Sequence, residues 1–139
     1  MIRSYFMNDA RRVKVQKIQR KEAKKFALFF NDIQAYSVVD DNKEIRAVFG
    51  YKIGHHQTAE CFALLGENMG KFMPEFVRFL LKEIPKQMKI NRVWRVTMSV
   101  KKGFDAGVRL ARILGFCFVA DLPRFYDGED YQLFERVNI

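Results

Sequence analysis

Helical and strand periodicities alternate along this chain, and that alternation restricts it to a sheet with helices packed against it. Ala23, Phe26, Ala27, Phe30 and Ile33 recur at helical spacing, with Lys21, Lys24, Lys25 and Asp32 on the opposite face. Met69, Phe72, Met73, Phe76, Phe79, Leu80 and Ile84 form a second apolar stripe, opposed by Lys71, Glu75, Arg78, Lys82 and Lys86. Pro74 suits the first turn of that helix, where a missing N–H costs nothing. Phe104, Val108, Ala111 and Leu114 make a third stripe, which Gly115 is placed to end.

Short β-rich runs lie between these helices. Val13–Ile18 alternates apolar and polar residues and reads as the first strand. Tyr36–Val39 and Ile45–Ile53 flank the turn-forming run Asp40–Glu44 and predict a hairpin. Glu60–Gly66 and Arg92–Val100 read as the fourth and fifth strands, and Asp127-Gly128 between two apolar runs predicts a closing hairpin. The order is strand, helix, three strands, helix, strand, helix, two strands, an α/β (α+β) pattern with a mixed sheet. No repeat or linker interrupts it, so residues 1–139 are expected to form a single domain, with 1–12 as a basic N-terminal extension.

Charge is concentrated at one end. Residues 1–25 hold nine Lys or Arg against Asp9 and Glu22, whereas the whole chain carries +9. Arg11, Arg12, Lys14 and Lys17 are therefore candidates to meet phosphates of nucleic acid or of a cofactor, or an acidic protein. Cys61 and Cys117 lie in apolar runs without metal-ligand spacing, so two buried free thiols and no metal site are expected. Without a signal-peptide pattern or a membrane-length apolar run, a soluble cytoplasmic protein is expected. Walker, Rossmann, zincin and nucleophile-elbow motifs are absent. Trp94 between Arg92 and Arg95 has the composition of a base-stacking surface, although core packing is the expected fate of most aromatics.

The run Leu110-Ala-Arg-Ile-Leu-Gly-Phe-Cys-Phe, together with the element order, resembles the GNAT superfamily of N-acetyltransferases. The resemblance covers the chain from about Val13 onward and implies a GNAT-like mixed central sheet with helices on both faces. It also implies an acyltransferase that uses acetyl-CoA to acetylate an amine. The pantetheine would meet backbone groups of Leu64 and Leu65, and the pyrophosphate would rest on Gly66, Asn68, Met69, Gly70 and Lys71 ahead of the central helix. Of the family's phosphate-loop pattern only Gly70 is present; Glu67 stands in place of Gln or Arg, and Phe72 in place of a small residue. Phe104 and Ala111 stand in place of an Asn and an acid Tyr.

Near the strand gap that the resemblance implies, His55, His56 and Glu60 are the residues able to take a proton from an amine, and Tyr126 supplies an alternative hydroxyl. His56, Glu60 and Tyr126 are the catalytic candidates. Val93–Phe134, with Asp-Gly followed by Tyr-Gln-Leu-Phe, also resembles small internal virion proteins of short-tailed bacteriophages. That second resemblance implies a non-catalytic virion or host-interaction component whose basic N-terminus contacts DNA or an acidic partner.

Overall fold

The computed structural model describes residues 1–28 and 33–137. Its elements are β1 (Ile2–Ser4), α1 (Asp9–Arg12), a 3-10 turn (Lys17–Gln19), α2 (Arg20–Leu28), β2 (Gln34–Val39), β3 (Ile45–Ile53), β4 (Thr58–Leu65), α3 (Met73–Ile90), β5 (Arg95–Lys101), α4 (Asp105–Ile113), β6 (Cys117–Tyr126) and β7 (Glu129–Val137). Among the described residues these strands form one seven-stranded sheet in the order β1-β2-β3-β4-β5-β7-β6. β4 and β5 pair in parallel from Thr58↔Arg95 to Cys61↔Met98, while β5–β7 and β6–β7 are antiparallel. The expected mixed sheet and strand–helix order are present.

The first strand lies elsewhere than expected. Ile2–Ser4 pairs with β2 from Ile2↔Val38 to Ser4↔Tyr36. The Val13–Ile18 run instead is an extended segment that makes a single bridge, Val15↔Gly66, before turning into the 3-10 turn. Its alternation is real from Val13 to Gln16, where Val13 and Val15 are buried while Lys14 is exposed and Gln16 half-buried. Burial on one side satisfies that pattern with or without a ladder, whereas a three-residue strand is too short to show any period. The helix expected over Ala23–Ile33 is α2, described as far as Leu28, and Ile33 lies just before β2. Phe30 and Asp32 lie outside the described residues.

The chain divides into two compact units, 1–52 with 62–76, and 53–61 with 77–139. The first has a core of Ala10, Val13, Val15, Ala23, Val48 and Leu64, among others. Its β2–β3 turn is organised by Asp40, whose Oδ1 accepts the N–H groups of Asn42 and Glu44, both at 2.9 Å. In the second unit Val96, Met98 and Val100 of β5 and Leu110, Ala111 and Leu114 after it are buried. Its closing turn has Asp127 and Gly128 at φ 55° and 74°, the left-handed pair a tight hairpin needs.

Two burial expectations are corrected here. Cys61 is buried but Cys117 is exposed, because β6 is the last strand of the sheet and is open along most of its length. Trp94 is 56% exposed, since it precedes β5 rather than lying within it. The most deeply buried aromatics are Phe49, Phe76 and Phe134, each 1% exposed. No helix of the described residues is long and apolar enough to cross a membrane.

Candidate anion-binding site

The first unit builds its site around the turn that joins β4 to α3. Gly66 donates its N–H to the Arg46 carbonyl at 2.9 Å, and a Cβ on Gly66 would collide with that same oxygen. Glycine is required there by the close approach of two backbones. Glu67 and Asn68 then turn outward, Met69 plugs inward at 3% exposure, and the N–H groups of Phe72 and Met73 both reach the Met69 carbonyl at 2.8 Å.

This geometry leaves the backbone amides of Asn68, Met69, Gly70 and Lys71 without an acceptor among the described residues. They precede an 18-residue helix, whose N-terminal end carries partial positive charge. A Cβ built on Gly70 meets nothing within 4 Å. The protein's own packing therefore does not demand that glycine, and its backbone lies open at the surface.

Cations gather at the same turn. Arg12, Lys14, Arg46, Glu44, Gly66 and Asn68 are among the residues lining a cavity of about 250 Å³. Lys14 is tied to the turn by its carbonyl, which accepts the Glu67 N–H at 2.9 Å. Arg12 donates to the Lys43 carbonyl at 2.9 Å, and Arg46 is held by Asp40 at 2.7 Å through Nη2. The amides of Glu44 and Asn42 and the Arg46 guanidinium together hold the Asp40 carboxyl below its ordinary range, the Glu44 amide contributing most. The Phe72 ring centroid lies 5.6 Å from the Arg46 guanidinium and 5.5 Å from the Lys71 ammonium, so Phe72 forms part of the cationic wall.

Of the basic residues singled out in the sequence, Arg12 and Lys14 thus meet the expected phosphate turn. Arg11 lies instead on a separate hollow of about 500 Å³ beside Arg20 and Lys24, and Lys17 is exposed on the 3-10 turn. Sequence reasoning missed Arg46, 20 residues before Gly66 and inside a strand, because no spacing rule links a strand arginine to the turn after the next strand.

The edge of β4 facing away from β3 is also occupied. Leu65, whose backbone the resemblance assigned to a pantetheine, accepts the Gln16 N–H at 3.1 Å and donates its own N–H to Gln19 Oε1 at 2.8 Å. Gln19 Nε2 donates to the Ala63 carbonyl at 2.7 Å, and the Gln19 side chain is 2% exposed. Leu64 is buried in the core of this unit. Neither glutamine carried a signal in the sequence.

The second unit holds the proton-transfer candidates. His55 and His56 are exposed in the turn before β4, with ring centroids 6.4 Å apart; the Thr58 hydroxyl donates to the His55 carbonyl at 2.8 Å. Glu60 is exposed on β4 opposite Thr97, and it makes no hydrogen bond with His56. Burial, with a smaller push from the Glu60 charge, raises the thiol of neighbouring Cys61 far above its ordinary range. Tyr126 ends β6 with its ring edge-on to Tyr131 at 6.0 Å. Phe104 and Ala111 are both buried. No group of three or more potential metal ligands occurs among the described residues.

The chain superposes on solved structures over nearly its whole length. It matches the ribosomal-protein-S5-alanine acetyltransferase from Vibrio fischeri at TM-score 0.71, with 16% identity over 99% of this chain and 92% of that one. A putative phosphinothricin N-acetyltransferase gives TM-score 0.71 and 16% identity, covering 99% of this chain and 97% of its own. The fold is that of the GNAT N-acetyltransferases. A point variant of the spermidine N-acetyltransferase SpeG from Vibrio cholerae shares this GNAT fold at TM-score 0.67 and 15% identity, with 99% and 92% of the two chains covered. No protein-family model and no curated protein matches the sequence.

Proposed function

We propose that the chain binds acetyl-CoA at the Gly66–Lys71 turn and acetylates an amine. The observation that carries this reading is the row of four unpaired amides, Asn68 to Lys71, in the turn before α3, whose first member Asn68 lines one cavity with Arg12, Lys14 and Arg46. Phosphate oxygens suit such amides, which supply hydrogen bonds together with the positive end of the helix. Lys71 adds its ammonium, and Gly70 leaves the approach clear.

The coenzyme would supply a thioester carbonyl open to attack by an amine. The chain's own part is to hold the phosphates and to take the amine's proton, which this reading assigns to His56 or Glu60 acting through water, with the Tyr126 hydroxyl as the alternative group; as the new C–N bond forms the thioester C–S bond would break, and the CoA sulfur would leave with the proton the amine gives up. Each such proton transfer contributes about 100- to 10,000-fold to rate. The test is calorimetric titration with acetyl-CoA and CoA, alongside Gly70→Ala and an acetylation screen comparing Glu60→Gln. Binding by the parent, weakened about tenfold in Gly70→Ala, supports the site; no binding by either removes it.

A second reading is favoured by the hydrogen bonds that occupy Ala63 and Leu65, and by an alanine at position 111, where a hydroxyl acid is expected. In it the fold is a non-catalytic phage component, and Arg11, Arg12, Lys14 and Lys17 contact DNA or an acidic protein. Acetylation of any amine by the purified chain overturns this reading, whereas salt-dependent DNA binding lost on neutralising those four residues supports it.

A further inference from the structure

The hydrogen bonds on β4 bear on what can enter the site. A strand edge offers N–H and C=O groups to any extended chain, and an amide-bearing ligand pairs with it as another strand would. At Ala63 and Leu65 that offer is already taken. Gln16 supplies a backbone N–H, and the Gln19 carboxamide uses its oxygen for the Leu65 N–H and its nitrogen for the Ala63 carbonyl, at 2.8 and 2.7 Å. One primary amide thus imitates both halves of a peptide unit. Val13 and Val15, buried at 6% and 7% exposure, fix the segment that carries it.

We infer that Lys14–Gln19 is a strap that closes the β4 edge, and that Gln19 decides how much of a nucleotide-linked ligand the site accepts. The inference rests on the acetyl-CoA reading and refines it. With the strap seated, the turn takes the phosphate-bearing nucleotide half of coenzyme A, and the amide arm gains nothing from β4. The arm pairs with Ala63 and Leu65 only by displacing Gln16 and Gln19. The Lys14 carbonyl bonded to the Glu67 N–H joins the strap directly to the phosphate turn, so an anion bound there sits next to the strap's first residue. A site of this form is held shut by a few specific bonds, and loosening the strap opens it.

The experiment uses the full chain, its Gln19→Met variant, and two probes, CoA and adenosine 3′-phosphate 5′-diphosphate. Methionine keeps the side-chain length and removes both hydrogen bonds. In the parent, the two probes are expected to bind within about threefold of each other. In Gln19→Met, CoA is expected to tighten about tenfold while the nucleotide half is unchanged, as two recovered hydrogen bonds suggest. Amide hydrogen exchange in the free protein supplies a readout independent of any ligand. Leu65 should be protected in the parent, exposed in Gln19→Met, and protected again when CoA is added to the variant.

Parent binding of CoA tenfold or more above the nucleotide half, with Leu65 protection unchanged, overturns the proposal. So does unprotected Leu65 in the free parent. If neither probe binds either protein, the acetyl-CoA reading falls and with it the ligand choice assigned to Gln19, while protection of Leu65 still decides whether the strap is seated.

Discussion

Replacing Asp9 by alanine should remove about 3–4 kcal/mol of stability. Asp9 is 1% exposed and gathers four donors: Arg3 Nη1 and Nη2 at 2.7 and 3.3 Å, the Phe6 N–H at 2.8 Å and the Ser37 hydroxyl at 2.8 Å. Alanine leaves the Ser37 hydroxyl, itself 0% exposed, unpaired at a cost of about 1–3 kcal/mol, while the amide of Phe6, a residue 60% exposed, can turn to water. Breaking a buried ion pair costs about 3–5 kcal/mol. The Arg3 side chain is 19% exposed and can turn partly to water, so the lower part of that range applies. Burial alone would raise the Asp9 carboxyl, but Arg3, the Phe6 amide and Ser37 outweigh it and hold the group below its ordinary range. A lowered folded-state pKa stabilises the protein above about pH 4, the unfolded value, and that contribution fades as pH falls through the folded value. Urea unfolding of parent, Asp9→Ala and Asp9→Asn at pH 7 and pH 3 measures both effects. A loss under about 1 kcal/mol at pH 7 for Asp9→Ala, or a parent–Asn gap that does not shrink at pH 3, refutes the reasoning.

The two glycines of the turn should separate stability from binding. Gly66→Ala drives a Cβ into the Arg46 carbonyl and should destabilise by more than about 2 kcal/mol in urea unfolding, because backbone on both sides must move. Gly70→Ala meets no neighbour and should leave stability within about 1 kcal/mol while weakening anion binding in calorimetry. Lys14→Gln should weaken binding of inorganic pyrophosphate and reduce its salt dependence, measured by titration at two ionic strengths. Cys117 should react with a thiol reagent in the native protein and Cys61 only after unfolding, which mass spectrometry of the labelled peptides reads directly.

Much of the architecture could be read residue by residue because its causes are local. The spacing of Phe76, Leu80 and Ile84 makes one face of α3, and all three are buried. Asp127-Gly128 marks a turn that only left-handed backbone completes. The alternation of Val96, Met98 and Val100 marks the buried face of β5. Gly70 stood out in the sequence, and in the structure the space around it is open. The run Val13–Ile18 misled because burial on one side and membership of a ladder leave the same alternating pattern.

Periodicity, turn chemistry and the helix-ending glycine therefore determined the elements from α2 onward and their order, since each depends on residues within a turn or two of one another. Tertiary structure alone decided that Arg12, Lys14 and Arg46 converge on the turn after β4, that Asp9 is buried under Arg3 and Ser37, and that β6 leaves Cys117 open. It also decided that Gln19 reaches Leu65, 46 positions away, to seal the strand edge. A glutamine's two hydrogen-bonding atoms are the same in every glutamine, and only the folded chain selects which backbone groups they meet.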